Sequence, residues 1–166
     1  MVDSRANDVS EPAVLYVDMD GVMCDIMAGF RTARENEPDL KRPQKREGFF
    51  LNLPTIDGAI ESVEKLRAHF DVYMLSAPST RNPHSYSEKR IWIEQHFGYE
   101  FTKKLILSPN KGLSRGRYLI DDFTSGKGQE SFEGELIHFG SDQFPDWPSV
   151  LAYLDVERPD AAKVSP

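Results

Sequence analysis

A second cysteine is missing from this chain. Cys24 stands alone, so no internal disulfide can staple the fold, and a reducing compartment suits it. A basic surplus is missing too. Lys and Arg number 20 against 27 Asp and Glu, a formal net charge of −7, which excludes the broad basic face that a nucleic-acid polymer needs for counterion release. Long apolar runs are also absent. The first, at 13–17, is far too short for a signal sequence or a membrane span, so no membrane partner and a cytoplasmic location are expected. Repeats and low-complexity tracts are lacking as well. What remains is an ordinary globular composition, 39% apolar and 28% charged over 166 residues, enough for one domain with its own core.

The ends, 1–11 and 155–166, carry no periodic apolar residues and are expected to be poorly ordered tails. That leaves 12–154 as a single core, with a small cap at about 25–50. Short apolar strands are expected at 13–17, 72–75, 105–107, 118–120 and 136–139. Helices alternate with them. Asp57-Gly58 can cap a helix whose Ile60, Val63, Leu66 and Phe70 form one stripe. A second helix is expected at 87–97, ending at Gly98, and a closing one at 147–154. The alternation predicts an α/β fold: a three-layer, Rossmann-like parallel sheet with helices on both faces and a short cap insertion after the first strand.

The chemistry sits at strand ends. Asp18-Met19-Asp20-Gly21-Val22 follows the first strand, where carboxylates of an α/β sheet project into the ligand crevice. Asp18 is placed to act as a nucleophile toward phosphorus and Asp20 to move protons, while Gly21 lets the backbone turn tightly. The competing reading is a plain Asp-Gly turn. Tyr118-Leu119-Ile120 runs into Asp121-Asp122, and such paired acids repel unless a cation sits against them. Asp18, the Asp20 carbonyl and Asp122 would form an oxygen-rich site for Mg²⁺. Between these ends lie Ser76, closing the strand 72–75, and Lys111 in the loop Ser108-Pro109-Asn110-Lys111-Gly112. Both could grip a phosphoryl group, or be a turn hydroxyl and a solvated lysine.

In that order along the chain, the four motifs resemble those of the haloacid dehalogenase superfamily of phosphatases. More narrowly, the chain resembles the 5'(3')-deoxyribonucleotidase family, over about 14–122 and most densely in Glu47-Gly48-Phe49-Phe50-Leu51-Asn52-Leu53-Pro54-Thr55-Ile56-Asp57-Gly58-Ala59 and Ser87-Glu88-Lys89-Arg90-Ile91-Trp92-Ile93-Glu94-Gln95-His96-Phe97-Gly98. The resemblance implies a nucleophile at Asp18 and a general acid/base at Asp20. It implies phosphate binding by Ser76, Lys111 and Lys89, the last otherwise a solvated helix residue. Mg²⁺ would be held by Asp18, Asp20 through its carbonyl, and Asp122. The chain departs from the family at Ala77, where a hydroxyl residue is usual, at Phe123, where a basic one is frequent, and in the brevity of the cap.

Phe49-Phe50 follows the cap and could stack on a nucleobase. Because adjacent extended residues point opposite ways, one is assigned to the core and one to the pocket. The basic stretch Lys41-Arg42-Pro43-Gln44-Lys45-Arg46 either attracts an anionic substrate or is a solvated loop. Cys24 reads as a packing residue. The expected function is a Mg²⁺-dependent phosphomonoesterase that hydrolyses (deoxy)nucleoside monophosphates through an aspartyl-phosphate. A homodimer is among the assemblies this allows. Alternatives are a superfamily phosphatase for another small phosphomonoester and a phospho-accepting receiver-like module, which the second carboxylate at Asp20 argues against. A calcium loop fails on glycine position and on the missing glutamate.

Overall fold

The computed structural model describes residues 11–156. In chain order the elements are β1 (Val14–Val17), α1 (Ile26–Asn36), α2 (Ala59–Arg67), β2 (Asp71–Ser76), α3 (His84–Phe97), β3 (Leu105–Leu107), β4 (Tyr118–Asp121), β5 (Glu135–His138) and α4 (Trp147–Tyr153). The strands form one sheet in the order β3-β2-β1-β4-β5, every pairing parallel. β1 is central, and Val17 stands opposite Met74 of β2 and Ile120 of β4. The residues that follow, Asp18, Ser76 and Asp121, therefore end neighbouring strands on the same edge.

Strand periodicity splits the apolar residues between two faces. Leu15, Val17, Met74 and Ile120 join one large cluster with Val63 and Leu66 of α2, Trp92 and Ile93 of α3, and Trp147, Val150 and Leu151 of α4. Tyr16, Leu75 and Leu119 face the other way, against Phe132. Phe132 follows a 3₁₀ turn at Gln129–Ser131, and a second such turn occupies Lys111–Leu113. The expected helical cover is thus unequal on the two faces: α-helices on one, short 3₁₀ turns on the other. The β3–β4 connection, 108–117, holds Pro109, Gly112 and Gly116 and is too short for a packed α-helix.

Local signals account for most boundaries. The Asp146 side chain accepts from Ser149 N at 3.0 Å, and the Ser149 hydroxyl reciprocates in a capping box for α4. Asp25 caps α1 by accepting from Ala28 N at 2.8 Å. At α2 the cap residue is Gly58 in the left-handed region, with no side-chain cap bond from Asp57. α3 begins three residues before the expected 87, because the buried Asn82 accepts from His84 N at 3.0 Å and Ser85 Oγ donates to Asn82 O at 2.8 Å. These bonds supply the start that the polar run 84–86 does not advertise by periodicity. α3 ends at Gly98 as expected.

The segment 25–50 carries α1 and a 3₁₀ turn at Pro43–Lys45. It is tied down from both sides. Trp92 Nε1 donates to Leu53 O at 2.8 Å and Trp147 Nε1 to Val22 O at 3.1 Å. Val156 is buried in the large cluster, so packing continues past 154. The rest of both expected tails lies outside the described residues.

Candidate active site

Asp18 leaves β1 still in the ladder, its N–H donating to Ile120 O at 2.9 Å. Its carboxylate is buried, and Lys111 Nζ stands 2.7 Å from Asp18 Oδ1. The same ammonium bonds Asp121 Oδ2. Burial pulls the Lys111 ammonium down, but Asp18 and Asp121 outweigh it and hold it above the usual lysine range. Burial raises the Asp18 carboxyl, and Lys111 opposes that rise. Lys111 therefore keeps charge beside the group that must act as an anion.

Asp121 is spent on support. Its Oδ1 accepts from Phe123 N at 2.9 Å and from Gln129 Nε2 at 3.2 Å. Asp122 is the one left over. Its Oδ1 is buried without a partner among the described residues, and burial, then Asp18 and Asp121, push its carboxyl up to about 7. Asp18, Asp121 and Asp122 offer oxygens within 4.8 Å of one another. An orphaned buried carboxylate oxygen beside two further carboxylates suits a hard divalent cation, which would relieve this repulsion. The Asp20 carboxylate is not in that cluster, so only its carbonyl is available for the expected metal role.

Gly21 explains how the two acid-bearing ends come so close. It has φ +82°, and a Cβ there would lie 2.2 Å from Asp122 Oδ2. Any side chain would push Asp122 away.

Lys89 reaches in from α3. Its Nζ donates to Asp20 Oδ2 at 2.7 Å and to Ser76 Oγ at 3.0 Å, and it is fully buried, so the solvated-lysine reading is corrected. Neighbouring Glu88 was missed from sequence. Its buried carboxylate accepts from Gly48 N at 2.5 Å and Phe50 N at 3.0 Å, and Asn82 Nδ2 donates to Gln44 O at 3.2 Å and Arg46 O at 2.8 Å. Both pin the loop 44–50 to the core. Their only advance signal was the similarity-dense stretch around Glu88.

A cleft of about 920 Å³ opens over these groups, lined by Asp18, Asp20 and Asp122 on its floor and by Ile26, Phe30 and Phe50 on one wall. Phe50 enters the cleft, with Lys89 Nζ 4.7 Å from its ring centroid. Phe49 does not line it; the ring packs on Phe30 and Phe50 at 5.2 and 4.9 Å. That corrects the candidacy of Phe49 for substrate contact. Phe123, exposed, also lines the cleft, as do Ala77 and Pro78. Cys24 is a buried packing residue whose thiol burial and Asp20 push well above its usual range. It is inert.

Both the sequence and the fold have known relatives. Residues 32–144 match the family model described as "5' nucleotidase, deoxy (Pyrimidine), cytosolic type C protein". A Vibrio phage KVP40 protein with a provisional 5'(3')-deoxyribonucleotidase name is 42% identical over 93% of this chain and 91% of its own length. The human cytosolic-type 5'(3')-deoxyribonucleotidase is 32% identical over 82% of this chain and 78% of its own. Among solved structures, the HAD-hydrolase YfnB from Bacillus subtilis, bound to magnesium, superposes with a TM-score of 0.60 at 13% identity, covering 87% of this chain and 99% of that one.

The sheet has a haloacid dehalogenase-type hydrolase fold, and the sequence relatives make the chain a phosphoric monoester hydrolase. The readings as a receiver module or a calcium loop fall away. Within that class the chain belongs to the 5'(3')-deoxyribonucleotidase family.

Proposed function

We propose that this enzyme releases phosphate from small (deoxy)nucleoside monophosphates through an aspartyl-phosphate on Asp18. The observation that carries the reading is the buried Asp18–Lys111 pair, 2.7 Å apart, in which Asp18 follows the central strand and lines the cleft. A carboxylate oxygen of Asp18 attacks phosphorus, the bond to the leaving oxygen breaks, and that oxygen takes a proton from Asp20. In the second step Asp20 takes a proton from water, the water oxygen attacks phosphorus, the Asp18–phosphorus bond breaks and inorganic phosphate leaves.

Lys89 holds Asp20 in place from the side of Ser76. In this reading the Ser76 hydroxyl, Lys89 and Lys111 supply donors and positive charge to the phosphoryl oxygens. Mg²⁺, held by Asp18, Asp122 and the Asp20 carbonyl, would neutralise charge on the phosphoryl oxygens. Phe50 supplies an aromatic face for a base, where stacking is worth on the order of 1–3 kcal/mol. Among the described residues no helix is long and apolar enough to cross a membrane, and the human relative is named as cytosolic; a cytoplasmic site of action is part of the proposal.

The test is phosphate release from a panel of 5' and 3' nucleoside monophosphates and a generic aryl phosphate, with and without Mg²⁺. Asp18→Asn is the control. Selective, magnesium-dependent hydrolysis of deoxynucleotides is expected. Hydrolysis of the aryl phosphate alone would retain the chemistry and reject the nucleotide. The short segment over the cleft and Ala77 at the usual hydroxyl position are what would favour that second outcome.

A further inference from the structure

Four cations line the same cleft. Arg42 and Lys45 come from the loop under α1, Arg81 from the turn before α3, and Lys127 from the loop after β4. All four are exposed, and none has a carboxylate partner among the described residues. In a chain of net charge −7 that is unexpected, because acids are plentiful enough to pair them. Slight desolvation and then the neighbouring positive charges of Arg42 and Arg81 hold Lys45 below its usual range, so both arginines lie close enough for Lys45 to feel their charge. Their loop is not free to swing away, since Asn82 and Glu88 bind its backbone at residues 44, 46, 48 and 50.

The floor does not need these charges. Lys89 and Lys111 are already bonded to Asp20 and Ser76, and to Asp18 and Asp121. Counted as formal charges, four carboxylates face two ammoniums there. A divalent cation would bring that balance only to neutral, leaving no surplus positive charge on the floor for a second anion. Ala77, Pro78, Ser79 and Thr80 also line the cleft, so four cleft residues separate Arg81 from the end of β2 along the chain. Unpaired Arg and Lys groups held on one concave wall are phosphate-binding chemistry.

We infer that Arg42, Lys45 and Arg81 form a second anion subsite, with Lys127 on the facing loop, which selects substrates whose leaving group itself carries a phosphate. A nucleoside with phosphates on both its 3' and 5' oxygens has that chemistry. One phosphate reacts at Asp18 while the other rests among the outer cations. The inference rests on the nucleotidase reading and refines its substrate class.

The experiment compares thymidine 3',5'-bisphosphate with thymidine 5'-monophosphate and 3'-monophosphate in two readouts. Turnover is followed as kcat/KM in the full chain with Mg²⁺. Binding is followed as Kd by calorimetry with Asp18→Asn, which keeps ligands intact. The bisphosphate is expected to bind about tenfold tighter than either monophosphate, roughly 1.4 kcal/mol, with a matching gain in kcat/KM. In Arg42→Gln/Lys45→Gln/Arg81→Gln, at surface positions that leave the core untouched, the ratio should fall toward one. Arg81→Lys in place of Arg81→Gln should retain part of it. Equal affinities in the parent protein, or a preference that survives the triple substitution, would overturn the subsite. If the monophosphates turn over while the ratio is flat, only this inference fails. If no thymidine phosphate is bound or hydrolysed, the nucleotidase reading fails and takes the subsite with it.

Discussion

Lys111 stands between two buried carboxylates, and removing it would leave both without their cation. Lys111→Met is therefore expected to cost about 3–5 kcal/mol, read as a lower midpoint in urea, and to abolish turnover. Asp20→Asn removes the carboxylate beside the buried Lys89 but keeps an oxygen that can accept from it, so beside a modest loss of stability its main expected effect is kinetic: a loss of about 10²- to 10⁴-fold in kcat with the fold retained by circular dichroism. Asp122 behaves in the opposite sense to Lys111. Its carboxyl, raised to about 7, keeps in the folded state a proton that the unfolded chain gives up near pH 4. The metal-free protein should lose stability as pH climbs from about 4 to about 7, and Asp122→Asn should flatten that dependence. Mg²⁺ should raise the melting temperature of the parent protein and leave Asp122→Asn unmoved; a shift of equal size in both would remove Asp122 from the metal site. At this scale much was legible. Asp18, Ser76, Lys111 and Asp122 each follow an apolar strand or sit a fixed step before one, and strand ends face the crevice. The labour of Asp121 was not legible, because two adjacent acids are equivalent until the backbone turns one toward Lys111 and the other toward Asp18.

Among the elements, α3 contributes most to the site without lying at a strand end. One turn of it carries Lys89 to Asp20 and Ser76, while Glu88 grips the loop that brings Phe50 to the cleft. Glu88→Ala leaves two backbone N–H groups without their acceptor, so a cost of about 1–3 kcal/mol is expected. Because the loop and not the floor is released, KM for a nucleotide should rise more than kcat falls; the reverse split would assign Glu88 to the chemistry. Gly21→Ala acts on another element boundary. Its left-handed backbone and the 2.2 Å approach to Asp122 predict a loss of stability of about 1 kcal/mol or more and weaker Mg²⁺ binding by titration calorimetry. Element positions followed from apolar runs to within a residue or two for the strands. The early start of α3 did not, since its first turn is held by Asn82 and Ser85 and not by an apolar stripe. Alternation could not separate Phe49 from Phe50, because residues 47–52 form turns and not extended backbone; which ring faced the cleft depended on α1 packing Phe30 against Phe49.

For the whole molecule, the large cluster joins the sheet, three helices and the segment beneath α1 into one core. Leu66→Ala, at a fully buried position in α2, should therefore cost about 2–5 kcal/mol and lower stability cooperatively in a single transition; two separate transitions would show that the segment 25–50 melts apart from the sheet. The amino-acid sequence by itself determined a parallel α/β chain with acids, a hydroxyl and a lysine at the ends of its strands, because strand runs, helical stripes and strand-end turns are set by residues close along the chain. Only the tertiary structure decided the rest. It placed β1 at the centre of the sheet, drove Lys89 into the interior, divided the work of Asp121 and Asp122, and turned Arg42, Lys45 and Arg81 onto one wall. Those outcomes depend on contacts between residues tens of positions apart, whose burial and charge balance exist only once the crossovers have closed.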